Sequence, residues 1–415
     1  MKGAGIRALR VETLNRFVSN IPKPKGNFFS ELFGVSKEES DTVRWMFESG
    51  SIGMTPFVAP GSPAPVTKDD LYWREGSARA AYYKEKRFFD EVFLNNMMEP
   101  EVSLKYIKAE KRLAKTLAKL KYRCERRREW MLTQMMVNGE MSYTSEKGLS
   151  FTVNYGIPSA HKMTLATGKG WNLSTGSAPI RDMYDMKDLF ANEIQAQPKY
   201  TIMNSKTLHS LLFNADIQGL LKKSAFGDGN LFSTPAPVLA SLLGVGDIKV
   251  YDELYSLRSF AAQSKSLSGN AEDTLIVESV VDFEKDTRVR IYDMSKDNVW
   301  VELPITGVDY STNTLTFGAS AAAAGIAVVS GRDVVEMRKK FVPDWKVMMF
   351  TDEFEGEKVA EFMEAPFGLG RHWGQYTDTK IEWDPDGVWV RVQDKGLPVL
   401  YNPNTIVTLN TYTAS

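Results

Sequence analysis

Between Pro100 and Gly139 the chain contains neither glycine nor proline, and this uninterrupted stretch, EPEVSLKYIKAEKRLAKTLAKLKYRCERRREWMLTQMMVNGE from Glu99 onward, is the strongest constraint on its fold. Pro100 suits a first helical turn and Gly139 a helix end. Leu113, Leu117, Leu120, Cys124, Arg128, Met131 and Met135 recur at spacings of four and three, which predicts one long helix with a single narrow stripe to bury. At about 1.5 Å per residue it would run roughly 60 Å, so it needs an elongated domain to lie along. Eleven Lys and Arg residues fall between Lys105 and Arg128 against only Glu110 and Glu125, so its polar faces are strongly basic. Such a face is either solvated and paired with acidic loops of the chain and its neighbours, or it meets nucleic acid or an acidic partner non-specifically through counterion release. No helix-turn-helix, zinc finger or paired aromatic RNA motif accompanies it, so sequence readout is not expected.

The rest of the composition excludes more than it selects. A chain of 415 residues, 43% of them hydrophobic, supports two or three domains. The formal charge of -1 makes the basicity local to the helix. Cys124, the single cysteine, lies on the apolar stripe and reads as a small core residue, with no disulfide framework. The opening MKGAGIRALRVETLNRFV lacks the apolar core of a signal peptide and no later run is long enough to span a membrane, which predicts synthesis in a reducing cytoplasm. His161, His209 and His372 are scattered, outside any metal-ligand spacing, and no GxSxG elbow or P-loop is present. Glycine pairs at Gly227 and Gly229 and at Gly244 and Gly246 read as turns, and Asp69, Asp70, Asp352 and Glu353 as solvated carboxylates. No enzyme, metal or cofactor is expected.

The order of segments is more telling. A helix is expected around Ile6 to Phe17, followed by IPKPKGNFFSELFG, whose alternating prolines and aromatics suggest an extended arm gripping a neighbour. From Gly50 to Phe93 a proline-rich first half, Ser51 to Val66, and an aromatic and charged second half predict a protruding two-strand excursion that an oligomer would interlock. GLSFTVNYG, Gly148 to Gly156, alternates with period two and reads as a half-buried strand. From Met186, a helix, a strand at Lys199 to Met203, a helix beginning near Ser205 and a strand at Asp247 to Tyr251 predict an α/β domain. FVPDWKVMMF, Phe341 to Phe350, reads as a turn and then a strand.

Taken in order, WREGSARAAYYKEKRFFDEVF, RRREWMLTQMMVNGEMSYT, GLSFTVNYGIP, VYDELY, FVPDWKVMMF and GLPVLYNPNTIVTLNTY resemble the major capsid proteins of tailed bacteriophages, in the lambda-like group called phage major capsid protein E. In that family a basic run before Trp and a Gly-Glu or Gly-Thr step closes the spine helix and opens a strand, which Arg126 to Trp130 and Asn138 to Glu140 match. The resemblance implies an α+β Hong Kong 97-type capsid fold. Its parts would be an N-terminal arm (1–45), an extended β-hairpin loop (46–93), a peripheral domain with the spine helix (94–180), an axial α/β domain (181–255) and returning axial and peripheral strands (339–415). It implies a shell built from pentamers and hexamers around double-stranded DNA, with the loop lying over one neighbour and the arm under another.

Two departures stand out. Where the family has a short hairpin, 85 residues separate Tyr255 from Phe341. Short strands at Thr274 to Val280, Arg288 to Tyr292, Val299 to Val308, Thr314 to Phe317 and Ala327 to Ser330 predict a small all-β, barrel-like insertion (256–338), flanked by a Ser-rich linker, SFAAQSKSLSGNAED; the other reading is an elaborated axial hairpin. No long charged helix precedes the arm, so any scaffold is expected to be a separate protein, alongside a portal and a decoration protein; neither maturation cleavage nor covalent cross-linking is expected. Tyr72, Trp73, Tyr82, Tyr83, Phe88 and Phe89 are the expected interface anchors of the loop, because large rings bury much area at low entropic cost. Lys105, Lys108, Lys111, Arg112, Lys115 and Lys119 are the residues expected to face nucleic acid or scaffold. An encapsulin-like nanocompartment and a non-capsid nucleic-acid-binding protein are the alternatives. The expected location is the virion, after synthesis in the host bacterial cytoplasm.

Overall fold

The computed structural model describes all residues except 1–5, 23, 25, 50–71, 145–149, 174–175, 224–234, 268–272, 281–282, 286, 296–298, 319–325 and 414–415. The expected proline-rich loop tip, Asp69, Asp70, Gly227 and Gly229 lie outside the described residues.

The long helix is there, as Leu104–Asn138, 35 residues. It begins later than expected: Pro100 sits in a turn, its carbonyl accepting from Ser103 N–H at 2.8 Å, after a separate helix Glu91–Met98. Ser103 is the true N-cap, its hydroxyl accepting from Tyr106 N–H at 3.1 Å. At the other end Gly139 adopts φ 67°, where a side chain would be strained, and its N–H closes the helix on Met135. Every residue of the expected stripe is buried. The stripe joins two cores. Leu113, Leu117, Leu120 and Cys124 pack with Phe89, Phe93 and Val390, whereas Met131, Met135 and Met136 pack with Phe29, Phe350 and Phe362.

Beside the helix lies a five-stranded sheet organised by Asp386–Leu400, which pairs antiparallel with Ala81–Asp90, Tyr376–Trp383 and Ala360–Glu364. Gly34–Lys37 adds to Ala360–Glu364 in parallel. Three expectations change here. The excursion is narrower than 46–93: Thr42–Ser49 pairs with Tyr72–Arg79, and the chain then enters the central sheet at Ala81. The segment expected as a gripping arm folds onto its own spine helix, with Phe29 and Phe33 in the core. The helix Val11–Asn20 also docks within the chain, burying Leu14 and Val18, while Asn15 exchanges hydrogen bonds with the backbone of Thr377.

A second five-stranded sheet, in the order Lys162–Thr164, Ile406–Asn410, Lys346–Phe350, Tyr200–Met203, Asp247–Val250, forms the axial unit. The expected helix, strand and helix appear as Pro179–Ile194, Tyr200–Met203 and Ser205–Leu212, the last capped by Asn204. Residues 162–164, placed with the peripheral domain by sequence, belong to this sheet.

The insertion runs from Leu254 to Lys340, slightly beyond 256–338. Six strands follow one another in the order Leu254–Phe260, Val334–Lys340, Arg288–Tyr292, Trp300–Asp309, Thr314–Phe317, Thr274–Ile276. The two outermost meet at the Ala261 to Val277 bridge, with Ala262 N–H donating to Ile276 and Glu278 N–H to Phe260, so the sheet closes on itself. The Ser-rich stretch is not a linker: Ala261 and Leu267 are buried in the barrel core, and Lys265–Leu267 pairs with Ile326–Val328. At its root, Asp252 accepts from Ser205 N–H and from Lys340 at 3.3 Å, and Asp344 accepts from Lys340 and Lys206.

Burial tends to raise both of these carboxyls, but the Ser205 and lysine hydrogen bonds outweigh it and hold them below the usual aspartate range. A depressed carboxyl stabilises the fold above its unfolded value, about pH 4, and that contribution fades as the pH falls through the depressed one. Hydrogen exchange should therefore show peptides spanning the barrel root, with Phe341 N–H bonded to Glu253, losing protection below pH 4 before the axial strand Lys346–Phe350 does. Equal loss along both segments would contradict this.

Candidate assembly surfaces

Adjacent residues of the spine helix, Arg128 and Glu129, bind different elements of the chain. Arg128, predicted on the buried stripe, donates from Nε to Asp394 at 2.7 Å and from Nη2 to Glu364 at 2.6 Å, with Asp394 fully buried. Burial pulls the guanidinium pKa down, but the Asp394, Tyr83 and Glu364 partners outweigh it and hold it well above its ordinary value. Tyr83 donates to the same Asp394 carboxylate at 2.8 Å. Glu129 is also buried and accepts from Phe29 N–H, from Ser30 N–H and hydroxyl, and from Tyr251 hydroxyl. Desolvation still leaves its pKa raised. Lys121 donates to the carbonyls of Val18 at 2.9 Å and Ile21 at 2.6 Å, closing the C-terminal end of the arm helix. Neither Glu129 nor Lys121 was singled out by sequence, since their partners lie about a hundred residues away and leave no local pattern.

The basic face therefore divides. Lys121 and Arg128 are structural. Lys105, Lys108, Lys111, Arg112, Lys115 and Lys119 are all exposed, Lys105 with Glu99 at 3.6 Å and Arg112 over the Phe93 ring. Further along, a groove of about 1140 Å³ opens between the helix, the strand Ala81–Asp90 and the barrel strand Leu254–Phe260. The sheet contributes Lys86 and Arg87 to its lining. From the helix come Arg112, Lys119, Arg123, Arg126 and Arg127, and from the barrel Arg258. The acidic residues of the lining are Glu85 and Glu278, while Glu253 and Glu336 pair with Arg126 and Arg258 from outside it.

The expected loop anchors separate likewise. Phe89 is buried in its own chain against Phe93, and Tyr83 is tied to Asp394, so neither serves as an interface anchor. The reason is register: both belong to the strand paired with Asp386–Leu400. Tyr82 is 45% exposed although its hydroxyl reaches Gln393, and Phe88 lies half-buried against Trp389. Tyr72 and Trp73 sit at the far end of the hairpin, opposite Ser49 and Glu48. That hairpin packs Val43, Trp45 and Phe47 inward while Met46 is exposed, and Gly76 leaves the space its neighbour Trp45 fills: a Cβ there would lie 2.5 Å from the indole. Among the described residues, neither flank has a strand partner beyond the other. No helix among them is long and apolar enough to cross a membrane, and no cluster of three or more metal-ligating side chains is found.

A spine helix against a long sheet, an axial α/β unit and a separate two-stranded hairpin together define a capsid shell subunit. The sequence matches the family described as phage major capsid protein E over residues 10–263, and the chain belongs to that family. No curated protein sequence matches it. Among solved structures, it is similar to the putative capsid protein of an E. coli CFT073 prophage, at 14% identity and TM-score 0.53 over 97% of this chain and 99% of that one, which shows a shared fold. A phage-related protein from Bordetella bronchiseptica aligns at 11% identity and TM-score 0.48, over 97% and 98% of the two chains. An encapsulin from Synechococcus elongatus aligns at 9% and TM-score 0.38, over 95% and 93%.

Removing one partner of a buried ion pair strands the other, at a cost of roughly 3–5 kcal/mol. Arg128→Met should therefore lower the urea unfolding free energy of the dissociated subunit by about that amount, while Arg128→Met combined with Glu364→Leu and Asp394→Leu recovers much of it. A triple variant no more stable than the single one would show that the charges do more than satisfy each other.

Proposed function

We propose that many copies of this chain form an icosahedral shell around the double-stranded DNA genome of a tailed phage, assembling in the host bacterial cytoplasm and residing in the virion. Subunits meet through the axial unit in pentamers and hexamers, and capsomers through the peripheral sheet and the hairpin. A portal, a separate scaffold and a decoration protein are the further partners, and DNA is enclosed without sequence readout. The observation that carries this reading beyond the family is the hairpin Thr42–Ser49 with Tyr72–Arg79. Two-stranded ribbons are marginal alone, and exposed edges are liabilities that assembly removes. Tyr82 and Phe88 are rings that their own chain leaves partly exposed, and Tyr72 and Trp73 are proposed as anchors from their place at the far end of the hairpin. Lys105, Lys108, Lys111 and Lys115 supply a charged surface suited to a polyanion or an acidic scaffold.

Negative-stain imaging of the purified chain should show closed shells, with DNA inside particles recovered from infected cells; protein cargo in their place would favour a nanocompartment. Deleting Thr55 to Val66 should leave a chain with an unchanged circular dichroism spectrum that no longer closes shells. Normal shells from that deletion would remove the hairpin from the assembly mechanism.

A further inference from the structure

Among the described residues, the basic groove is only partly matched by carboxylates of its own chain. Arg123, Arg126 and Arg258 pair with Glu85, Glu253 and Glu336, whereas Lys86, Arg87, Arg112 and Lys119, which also line it, have no carboxylate partner among the described residues. It is also aromatic, with Arg127 lying over the Trp130 ring at 5.1 Å. Elsewhere on the same chain the reverse surface is displayed. The turn joining Tyr376–Trp383 to Asp386–Leu400 carries Glu382, Trp383, Asp384 and Asp386, with Trp383 85% exposed and Ile381 43% exposed. A tryptophan so exposed, followed in sequence by the exposed Asp384 and Asp386 and preceded by Glu382, which pairs with Lys380, is an open anchor. Another acidic turn, Glu353 to Glu357, has only the half-buried Phe354 to offer.

We infer that the groove receives the Glu382 to Asp386 turn of a second copy of this chain, with the indole against the arginine and aromatic wall and the carboxylates among the basic side chains. The contact is heterologous, since groove and turn are different surfaces, and it propagates from copy to copy as a ring or closed shell requires. It rests on the shell reading above and assigns one of its contacts.

Cysteine cross-linking tests it, because Cys124 is buried and leaves a quiet background. In shells of the Lys119→Cys, Asp384→Cys double variant, a short bismaleimide should give a ladder of covalent oligomers on denaturing gels, and each single variant should stay monomeric. Dimers from Asp384→Cys alone would mean that turn meets turn, and an absent ladder in intact shells would mean another occupant, a nucleic acid or an acidic protein; both overturn the inference and leave the shell reading standing. If the cysteines block assembly, charge exchange decides. Asp384→Lys with Asp386→Lys should abolish shells, and adding Arg87→Glu and Lys119→Glu should restore them to at least half the wild-type yield; no restoration overturns the inference. A wild-type chain that forms no shells overturns the shell reading and this contact together.

Discussion

Arg128 and Glu129 are neighbours in sequence, yet they bind elements that lie on different sides of the spine helix. Through Arg128 the helix holds Asp394 of the long strand and Glu364 of the strand beside it; through Glu129 it holds the start of the short helix at Phe29 and Ser30, and Tyr251 at the end of an axial strand. A buried charge is expensive unless fully matched, so each group tolerates little displacement of its partners. Nonpolar packing could fill the same volume with more than one register. Charge pairs of this geometry accept one, which holds the spine helix and the long sheet in a single register.

The same demand explains how the basic helix spends its charge. A helix with eleven cations would repel itself if all were solvated on one face. Lys121 is placed on the carbonyl end of the arm helix, where the backbone dipole is negative, and Arg128 between two carboxylates. Arg123 and Arg126 meet Glu85 and Glu253, at the wall of the groove. The remaining lysines of the N-terminal half face outward, where solvent and salt screen them.

Patterns confined to a few residues were legible in the sequence, and pairings across hundreds were not. Arg288–Tyr292 and Thr314–Phe317 have the bounds that alternation and the Asp309 to Asn313 turn implied, with Asp309 gathering Ser311 and Thr312 as such turns do. Asn204 capped the axial helix for the same local reason. Ala81–Asp90 looked two-sided because aromatic and charged residues alternate on it without an apolar face. Its partner strand lies some three hundred residues downstream, and its rings and charges fit that strand's two faces. The arm misled by composition: prolines and aromatics suggested extension, but a carboxylate one hundred residues away gathers the backbone of Phe29 and Ser30 into a turn of helix. The family resemblance supplied the order of parts, and neither it nor periodicity contained the groove.

That groove exists because of where the insertion sits. Leu254–Phe260 and Val334–Lys340 leave and re-enter the axial unit as adjacent antiparallel strands, so the barrel's ends lie together and its length adds little closure entropy to the host fold. Its interior is a separate core, built from Leu275, Phe283, Ile291 and Phe317 among others. It can therefore be large without disturbing the spine or the axial sheet. Its outer strand, however, stands opposite the arginine-rich end of the spine helix and turns what would be an open charged surface into a walled one. Low-dielectric walls strengthen the field inside a cleft relative to a flat face. An insertion of this kind adds a walled surface through a single root, and at that root Lys340 ties the last barrel strand to Asp252 and Asp344.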